Sequence, residues 1–195
     1  LRFYEPWQGK ILINGSDILN YSRHSLRQLI APVFQEPVII TGTIKENITL
    51  YGDVEDAKVW DLIDSVGLSS WMTRFPKGIH TSLRERGKNI SVGESQIISL
   101  LRALYHNRSL ILLDEALSSV DLELEKSMES GLLNMLKTKM AIVISHRFSI
   151  IKKAGHIIVL ENGKIKESGT HKDLLQKQGT YEKLTRLQQV GFERY

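Results

Sequence analysis

The sequence predicts an α/β fold with parallel strands at its centre. Three short apolar runs, residues 110–113, 141–144 and 156–160, have the composition of buried strands. Each run follows a segment with helical patterning; in residues 122–137, for example, the apolar side chains recur at helical spacing. Alternation of helices with buried strands is typical of α/β proteins with a parallel sheet.

Both halves of the chain also carry a hairpin signal. Residues 10–15 and 159–165 each predict a strand that closes in a turn on an Asn-Gly pair. This pair is the strongest short-range indication of a two-residue hairpin. We therefore expect an antiparallel β element beside the parallel sheet.

The middle and the end of the sequence favour helices. Between about residues 43 and 104 strand patterns are absent and helical patterns dominate, as over 57–66 and 91–105. We interpret this stretch as a helical subdomain inserted into the α/β core. A polar, helical tail from about 171 to 195, interpreted as a surface helix, lies within the same predicted single domain, 1–195.

Length and composition exclude several classes of protein. The chain has 195 residues, 42% hydrophobic and 25% charged, with a formal net charge of +4, which indicates a globular protein. The absence of cysteine excludes disulfides, thiolate nucleophiles and cysteine-based metal sites. The mild positive charge suits an anionic small ligand or the cytoplasmic face of a membrane, but it is too weak to indicate nucleic acid.

Two carboxylates follow the first buried strand directly. Asp114 and Glu115 stand at the carboxyl end of the run 110–113, where open α/β sheets bind ligands. One carboxylate there can hold Mg²⁺ through its water shell, and its neighbour can deprotonate an attacking water. Two solvated acids that only end the strand are the alternative. His146, at the end of the run 141–144, favours the functional interpretation.

A third signal is a loop that leads into a helix at residues 89–96. Backbone N–H groups at the start of a helix form an anion site. Ser91 and Glu94 also have the spacing of a capping box, in which each side chain accepts a hydrogen bond from the other residue's backbone. The two interpretations are compatible.

Together these residues resemble the nucleotide-binding domain of an exporter-type ATP-binding cassette (ABC) transporter, over the whole chain and in the family's order. The matching segments are residues 2–11 (after the first helix), 33–36 (Q-loop), 81–87 (exporter X-loop), 90–94 (the signature, Leu-Ser-Gly-Gly-Gln in the family), 114–115 (Walker B with its catalytic glutamate), 118–121 (D-loop) and His146 (switch histidine).

The resemblance implies a RecA-like P-loop NTPase core that uses ATP and Mg²⁺. The implied roles are Mg²⁺ binding by Gln35 and Asp114, contact with the attacking water by Gln35, general-base catalysis by Glu115, contact with the γ-phosphate by His146, closure over a partner's ATP by Ser91, Val92, Gly93 and Glu94, and a reach across the dimer by Asp121. It also implies a head-to-tail partner domain and a transmembrane domain that moves a solute. The nucleotide-binding domain would lie at the cytoplasmic face of the plasma (inner) membrane. Residues 33–40 and the helices near 57–75 would face that domain, although Trp60, Trp71 and Phe75 fit simple helical packing equally well.

Two departures from the family pattern stand out. No G-x-x-x-x-G-K-[ST] phosphate loop occurs in the sequence, and the first residue is not Met, so we expect a cut from a longer protein just after that loop and its helix. In the signature, Val92 replaces a Gly and Glu94 replaces the Gln. A branched side chain makes a positive φ costly, and a carboxylate repels a triphosphate.

The altered signature predicts a heterodimer in which one ATP site is weakened, although a homodimer with two weak sites stays open. Two other functions also stay open: a non-catalytic remnant that lost its phosphate loop, and a soluble ABC ATPase that acts without membrane spans. The X-loop pattern favours the exporter over the soluble protein. The presence of Asp114, Glu115 and His146 argues against the remnant.

Overall fold

The structure, a computed structural model, describes residues 1–137, 139–145 and 148–192. The chain divides into two compact units, Leu1–Ile144 and Ser145–Tyr195. The strands of the first unit are β1 Leu12–Ile13, β2 Ser16–Asp17, β3 Ile30–Val33, β4 Gly42–Thr43, β5 Ser82–Leu83, β6 Leu110–Asp114 and β7 Met140–Ile144. Its helices are α1 Arg23–Gln28, α2 Ile44–Thr49, α3 Asp56–Ser65, α4 Ser69–Met72, α5 Val92–Tyr105 and α6 Leu122–Leu136.

A three-stranded parallel sheet in the order β3-β6-β7 forms the centre of the first unit. The register aligns Val33 with Leu113 and Leu113 with Val143, so the three strands end at one edge. The predicted strands at 110–113 and 141–144, and the parallel arrangement of the sheet, are therefore confirmed. This alignment fixes where the polar residues that follow each strand come together.

Apolar side chains pack against both faces of the central strand β6. Ile111 and Leu113 are buried on one face, and α5 packs along the neighbouring strand β3. Leu110 and Leu112 lie on the opposite face, against an apolar cluster built from the β1–β2 hairpin and α1. Burial on both faces explains why the sequence of β6 is a continuous apolar run.

Strand β7 is buried less than its sequence predicts. Met140, Ile142 and Ile144 are 69%, 53% and 56% exposed, so the expectation of a buried strand is wrong here. Their register partners in β6 include Leu110 and Leu112. Met140, Ile142 and Ile144 point to the same face of the sheet as Leu110 and Leu112. Among the described residues, the apolar cluster of the β1–β2 hairpin and α1 packs on this face at β6 but does not extend to β7.

The helical stretch contains a small β bridge that the sequence analysis missed. Strands β4 and β5 pair antiparallel with Gly42 opposite Leu83, so the expectation that strands are absent from 43 to 104 is wrong at this point. Helix α2 packs across α5, and both helices contribute fully buried side chains such as Ile48 and Ile98. Trp71 is 2% exposed and packs edge-on against Phe75, with ring centroids 5.1 Å apart, which supports simple packing for this pair.

A buried asparagine, Asn47, and a half-buried arginine, Arg102, hold the segment between β3 and α2. The Asn47 side chain donates to the Ile40 carbonyl and accepts from the Ile40 N–H, both at 2.9 Å. Arg102 of α5 donates to the Asn47 carbonyl at 2.6 Å and to the Val38 carbonyl at 2.8 Å. Burial lowers the pKa of the Arg102 guanidinium from its usual value. These hydrogen bonds join residues 38–43 to α2 and α5.

The second unit contains a short helix, then a hairpin, then two further helices. Its elements are β8 Ile157–Glu161, β9 Lys164–Gly169, α7 Phe148–Ile151, α8 His171–Gln176 and α9 Thr180–Phe192. Strand β8 contributes Ile157 to a small core with Leu174 and Tyr181. Ile158 and Leu160 are 54% and 67% exposed, so the prediction of a buried strand at 156–160 is wrong. The tail consists of two helices, and it buries Leu174 and Tyr181 rather than lying wholly at the surface.

Both hairpins turn on their Asn-Gly pairs, as the sequence predicts. Asn14 and Gly15 join β1 to β2 with φ values of 50° and 77°, and Asn162 and Gly163 join β8 to β9 with 50° and 73°. Two consecutive positive φ angles are what a two-residue hairpin turn requires.

Among the described residues, no helix has the length and apolar character needed to cross a membrane.

Gly131 gives a test of the packing between α6 and α3. A Cβ atom at this position would lie 2.4 Å from the carbonyl oxygen of Ser65, a distance that forces the backbones apart. Alanine normally stabilises a helix interior by about 1 kcal/mol relative to glycine. We expect Gly131→Ala to do the opposite and to lower the free energy of unfolding by about 1–3 kcal/mol.

The measurement is urea unfolding of the two variants beside the parent protein. The matched control is Ser130→Ala, the exposed neighbour of Gly131 on α6, which we expect to be neutral or slightly stabilising. Stabilisation by Gly131→Ala would show that α6 does not approach α3 this closely.

Candidate functional site

The carboxyl end of β6 carries the two predicted acids. Asp114 is the last residue of the strand and is exposed, and Glu115 follows it. The backbone N–H of Glu115 donates to the Ile144 carbonyl at 2.9 Å, which ties the end of β6 to the end of β7. His146 follows two residues after Ile144 in sequence, but it lies outside the described residues.

Glu115 has an unusual backbone conformation. Its φ is 47°, in the left-handed region that costs a non-glycine residue about 1–2 kcal/mol. The Glu115 carbonyl accepts a hydrogen bond from the Ser118 N–H at 3.1 Å, so the chain turns sharply at the strand end. Such strain persists only where the surrounding structure holds the backbone in place, and strained residues cluster at functional sites.

Gln35 reaches Glu115 across the strand ends. The Gln35 Nε2 donates to the Glu115 Oε2 at 3.1 Å, although the two residues are 80 positions apart. The contact arises because β3 and β6 are parallel neighbours and Gln35 comes two residues after β3. The amide thus restricts the orientation of the carboxylate.

The helix start at residues 91–94 is closed by a capping box. Ser91 caps α5: its Oγ accepts from the Glu94 N–H at 3.1 Å, and the Glu94 Oε2 accepts from the Ser91 N–H at 2.7 Å. The predicted capping box is confirmed. The Glu94 carboxylate therefore occupies one of the donors that a helix start offers to an anion.

The backbone at Val92 and Gly93 is helical and does not have the positive φ that the sequence led us to expect. Both belong to α5, and neither has a positive φ, so the expected cost of a branched residue at position 92 does not arise. Val92 is 59% exposed. Gly93 is required for another reason: a Cβ there would lie 2.5 Å from the Ser119 carbonyl oxygen, so the helix start touches the backbone of residues 118–121.

Asp121 has a structural task within its own chain. Its Oδ1 accepts from the Leu124 N–H at 2.9 Å and caps α6. This hydrogen bond explains the Asp at the start of the helix by ordinary capping. Gln96 on α5 was not predicted as a functional residue, but its buried amide contacts the backbone of both Gln35 and Ser119.

The donor set at this edge fits a magnesium ion better than a metal held only by protein. Among the described residues there is no group of three or more His, Cys, Asp or Glu side chains placed to hold a metal ion. Mg²⁺ keeps several waters and needs only one or two carboxylates in addition to substrate phosphates. The exposed carboxylate of Asp114 and the amide oxygen of Gln35 have the chemistry for that.

Comparison with known proteins identifies the family. The family model described as ABC transporter matches residues 1–118. An uncharacterized ABC transporter ATP-binding protein of Bacillus subtilis, YfiC, is 39% identical over 185 residues, which are 94% of this chain and 30% of that protein. An ATP-dependent lipid A-core flippase of Paraburkholderia xenovorans is 38% identical over 188 residues, 96% of this chain and 31% of that protein.

A solved structure gives the same result. The structure of a bacterial Atm1-family ABC exporter with ATP bound is similar with a TM-score of 0.89 and 34% identity, over 96% of this chain and 33% of that one. The chain spans about a third of the length of the relatives it matches. The chain therefore belongs to the ABC transporter family and has the fold of the nucleotide-binding domain of an ABC exporter.

Proposed function

We propose that this chain is part of the ATP-hydrolysing motor domain of an exporter-type ABC transporter, which drives solute export across a membrane. The hydrogen bond between Gln35 and Glu115 carries the proposal, because it brings a polar group of one strand end to a candidate base at the next. The similarity to exporters supports it. The domain would lie at the cytoplasmic face of the membrane. We also propose that residues 1–195 form a single domain, in which residues 43–104 are the helical subdomain.

The proposed chemistry is hydrolysis of the terminal phosphoanhydride of ATP. Glu115 takes a proton from water as the water oxygen bonds to the γ-phosphorus, and the bond to the leaving ADP breaks. Gln35 holds the carboxylate in the orientation that this proton transfer needs. Asp114 and Gln35 would hold Mg²⁺, which would neutralise phosphate charge, and His146 would contact the γ-phosphate.

The signature segment is proposed to serve the ATP of a partner domain, at a weakened site. Ser91, Val92 and Gly93 would present the start of α5 to that ATP, and Asp121 would lie at the same dimer contact. Glu94 weakens this arrangement: its carboxylate holds the Ser91 N–H, and two like charges about 4 Å apart repel by about 4 kcal/mol at an effective dielectric near 20. The site that uses Glu115 would pair with the partner's signature, and in a heterodimer that signature could differ from the altered one in this chain.

An exposed apolar surface supports contact with a transmembrane domain. Val38, Leu50 and Tyr51 are 59%, 50% and 60% exposed. Leu50 and Tyr51 have φ values of 53° and 62°, and the Tyr51 hydroxyl donates to the Thr41 carbonyl at 2.5 Å, so this surface is held in place. A cavity of about 390 Å³ beside it is lined by residues that include Thr49 and His80. We propose this surface, which includes Val38 from residues 33–40, as the contact.

Replacement of the proposed base tests the function directly. We expect Glu115→Gln in the full-length protein to lower the ATP turnover number at least about a hundredfold, because an amide cannot accept the proton, while ATP still binds. The measurement is phosphate release together with nucleotide binding. Glu55→Gln, which changes an exposed carboxylate at the start of α3, is the control and should leave turnover unchanged. Unaltered turnover in Glu115→Gln would show that another group acts as the base.

The charge at position 94 provides a second test. Glu94→Gln keeps a capping-box partner and removes the negative charge. We expect the ATP concentration for half-maximal turnover of the assembled transporter to fall by about threefold to tenfold, since less repulsion acts on the triphosphate. The matched control is Asp173→Asn, which changes the same capping-box position in α8. Equal effects of the two substitutions would reject a role for Glu94 at a nucleotide.

The 195 residues alone are proposed to bind ATP weakly. They contain no phosphate loop, and that loop supplies the N–H groups and the lysine that hold the phosphates. Calorimetric titration of this chain with MgATP should show no saturable binding below about 1 mM, and the full-length protein serves as the positive control. Saturable binding in the micromolar range would contradict the expectation.

A further inference from the structure

The buried amide of Gln96 forms hydrogen bonds to two separate loops. Gln96 lies on α5 and is 1% exposed. Its Nε2 donates to the backbone carbonyl of Gln35 at 3.3 Å and contacts the Ser118 Oγ at 3.1 Å. Its Oε1 accepts from the Ser119 N–H at 2.9 Å. Buried polar groups that are satisfied in this way specify one arrangement of their surroundings.

Residues 118–121 are held by α5 at two points. The Gln96 amide binds the N–H of Ser119, and Gly93, nearly one turn earlier, lies against the Ser119 carbonyl so closely that no Cβ fits between them. A displacement of the start of α5 must therefore carry residues 118–121 with it.

The Q-loop and the residues just beyond it are likewise attached to α5, at one point each. Gln96 binds the Gln35 carbonyl, and Arg102, six residues further along the same helix, binds the Val38 carbonyl. The side chain of Gln35 extends from this anchored backbone to Glu115. The position of the Gln35 amide at the carboxylate thus depends on Gln96, a buried residue that makes no hydrogen bond to the carboxylate.

We propose that Gln96 is a positioning residue for ATP hydrolysis: it sets Gln35 against Glu115 and links that position to residues 118–121 and to the signature end of α5. The inference rests on the proposed function and deepens it. It makes α5, the Q-loop and residues 118–121 one mechanical unit, so that motion of α5 changes the geometry at Glu115.

Two nearly isosteric substitutions separate the hydrogen bonds. Gln96→Glu keeps an acceptor for the Ser119 N–H but sets a carboxylate against the Gln35 carbonyl, and Gln96→Met removes all three hydrogen bonds. Ser118→Ala, at an exposed side chain, removes one partner of Gln96 with little risk to folding. The control is Ser99→Ala, a buried polar position one turn further along α5.

The experiment measures kcat and KM for ATP, together with the melting temperature, in the full-length protein. We expect Gln96→Glu and Gln96→Met to lower kcat about tenfold while KM changes by less than about twofold, because a misplaced Gln35 affects the transition state more than binding. Ser118→Ala should cause a smaller fall of the same kind, and Ser99→Ala none.

A double-mutant cycle with Gln35→Ala separates positioning from a general loss of stability. In that background Gln96→Glu should lower kcat by less than about twofold, since the group that Gln96 positions is already gone. Equal falls in both backgrounds, or a lower melting temperature with unchanged kcat, would overturn the inference. Active wild-type protein with unaffected Gln96 variants would overturn the inference alone, whereas absence of ATPase activity in the wild-type protein would overturn the proposed function and this inference with it.

Discussion

Parallel pairing of β6 with β3 on one side and β7 on the other is the constraint on which the candidate site depends. The pairing aligns Val33, Leu113 and Val143, so the residues that follow each strand leave the sheet at one edge. Burial of a large aliphatic side chain stabilises the fold by about 1.5–3 kcal/mol, and Ile111 and Leu113 are almost fully buried. The apolar strand thus fixes the location of the polar residues beyond it.

Helix α5 is the second organising element, because it connects loops that are far apart in sequence. Its first turn is closed by Ser91 and Glu94 and touches residues 118–121 through Gly93. Further along, Arg102 holds the chain beyond the Q-loop. The carboxylate of Glu94 therefore places a negative charge at the start of the helix while it closes the capping box there.

The sequence predicts those parts of the fold that local chemistry determines. Asn-Gly pairs dictate both hairpin turns, a continuous apolar run dictates β6, and the spacing of Ser91 and Glu94 dictates the capping box. Burial of β7 and β8 was not predictable, because it depends on which segments pack against each face. The hydrogen bond of Gln35 to Glu115 joins residues 80 positions apart; the family pattern supplies both residues, but only the fold brings them into contact. A buried Gln96 on a helix cannot be distinguished from a solvated one by its spacing.

The most direct test of the account is a cryo-EM structure of the full-length Glu115→Gln protein with MgATP. We expect the γ-phosphate to lie at the carboxyl end of β6, within hydrogen-bonding reach of residues 35 and 115 through a water. We also expect the Gln96 amide to keep its hydrogen bonds to both loops. Nucleotide bound away from this edge, or an ATP-bound state in which α5 has separated from the Q-loop and residues 118–121, would contradict the account.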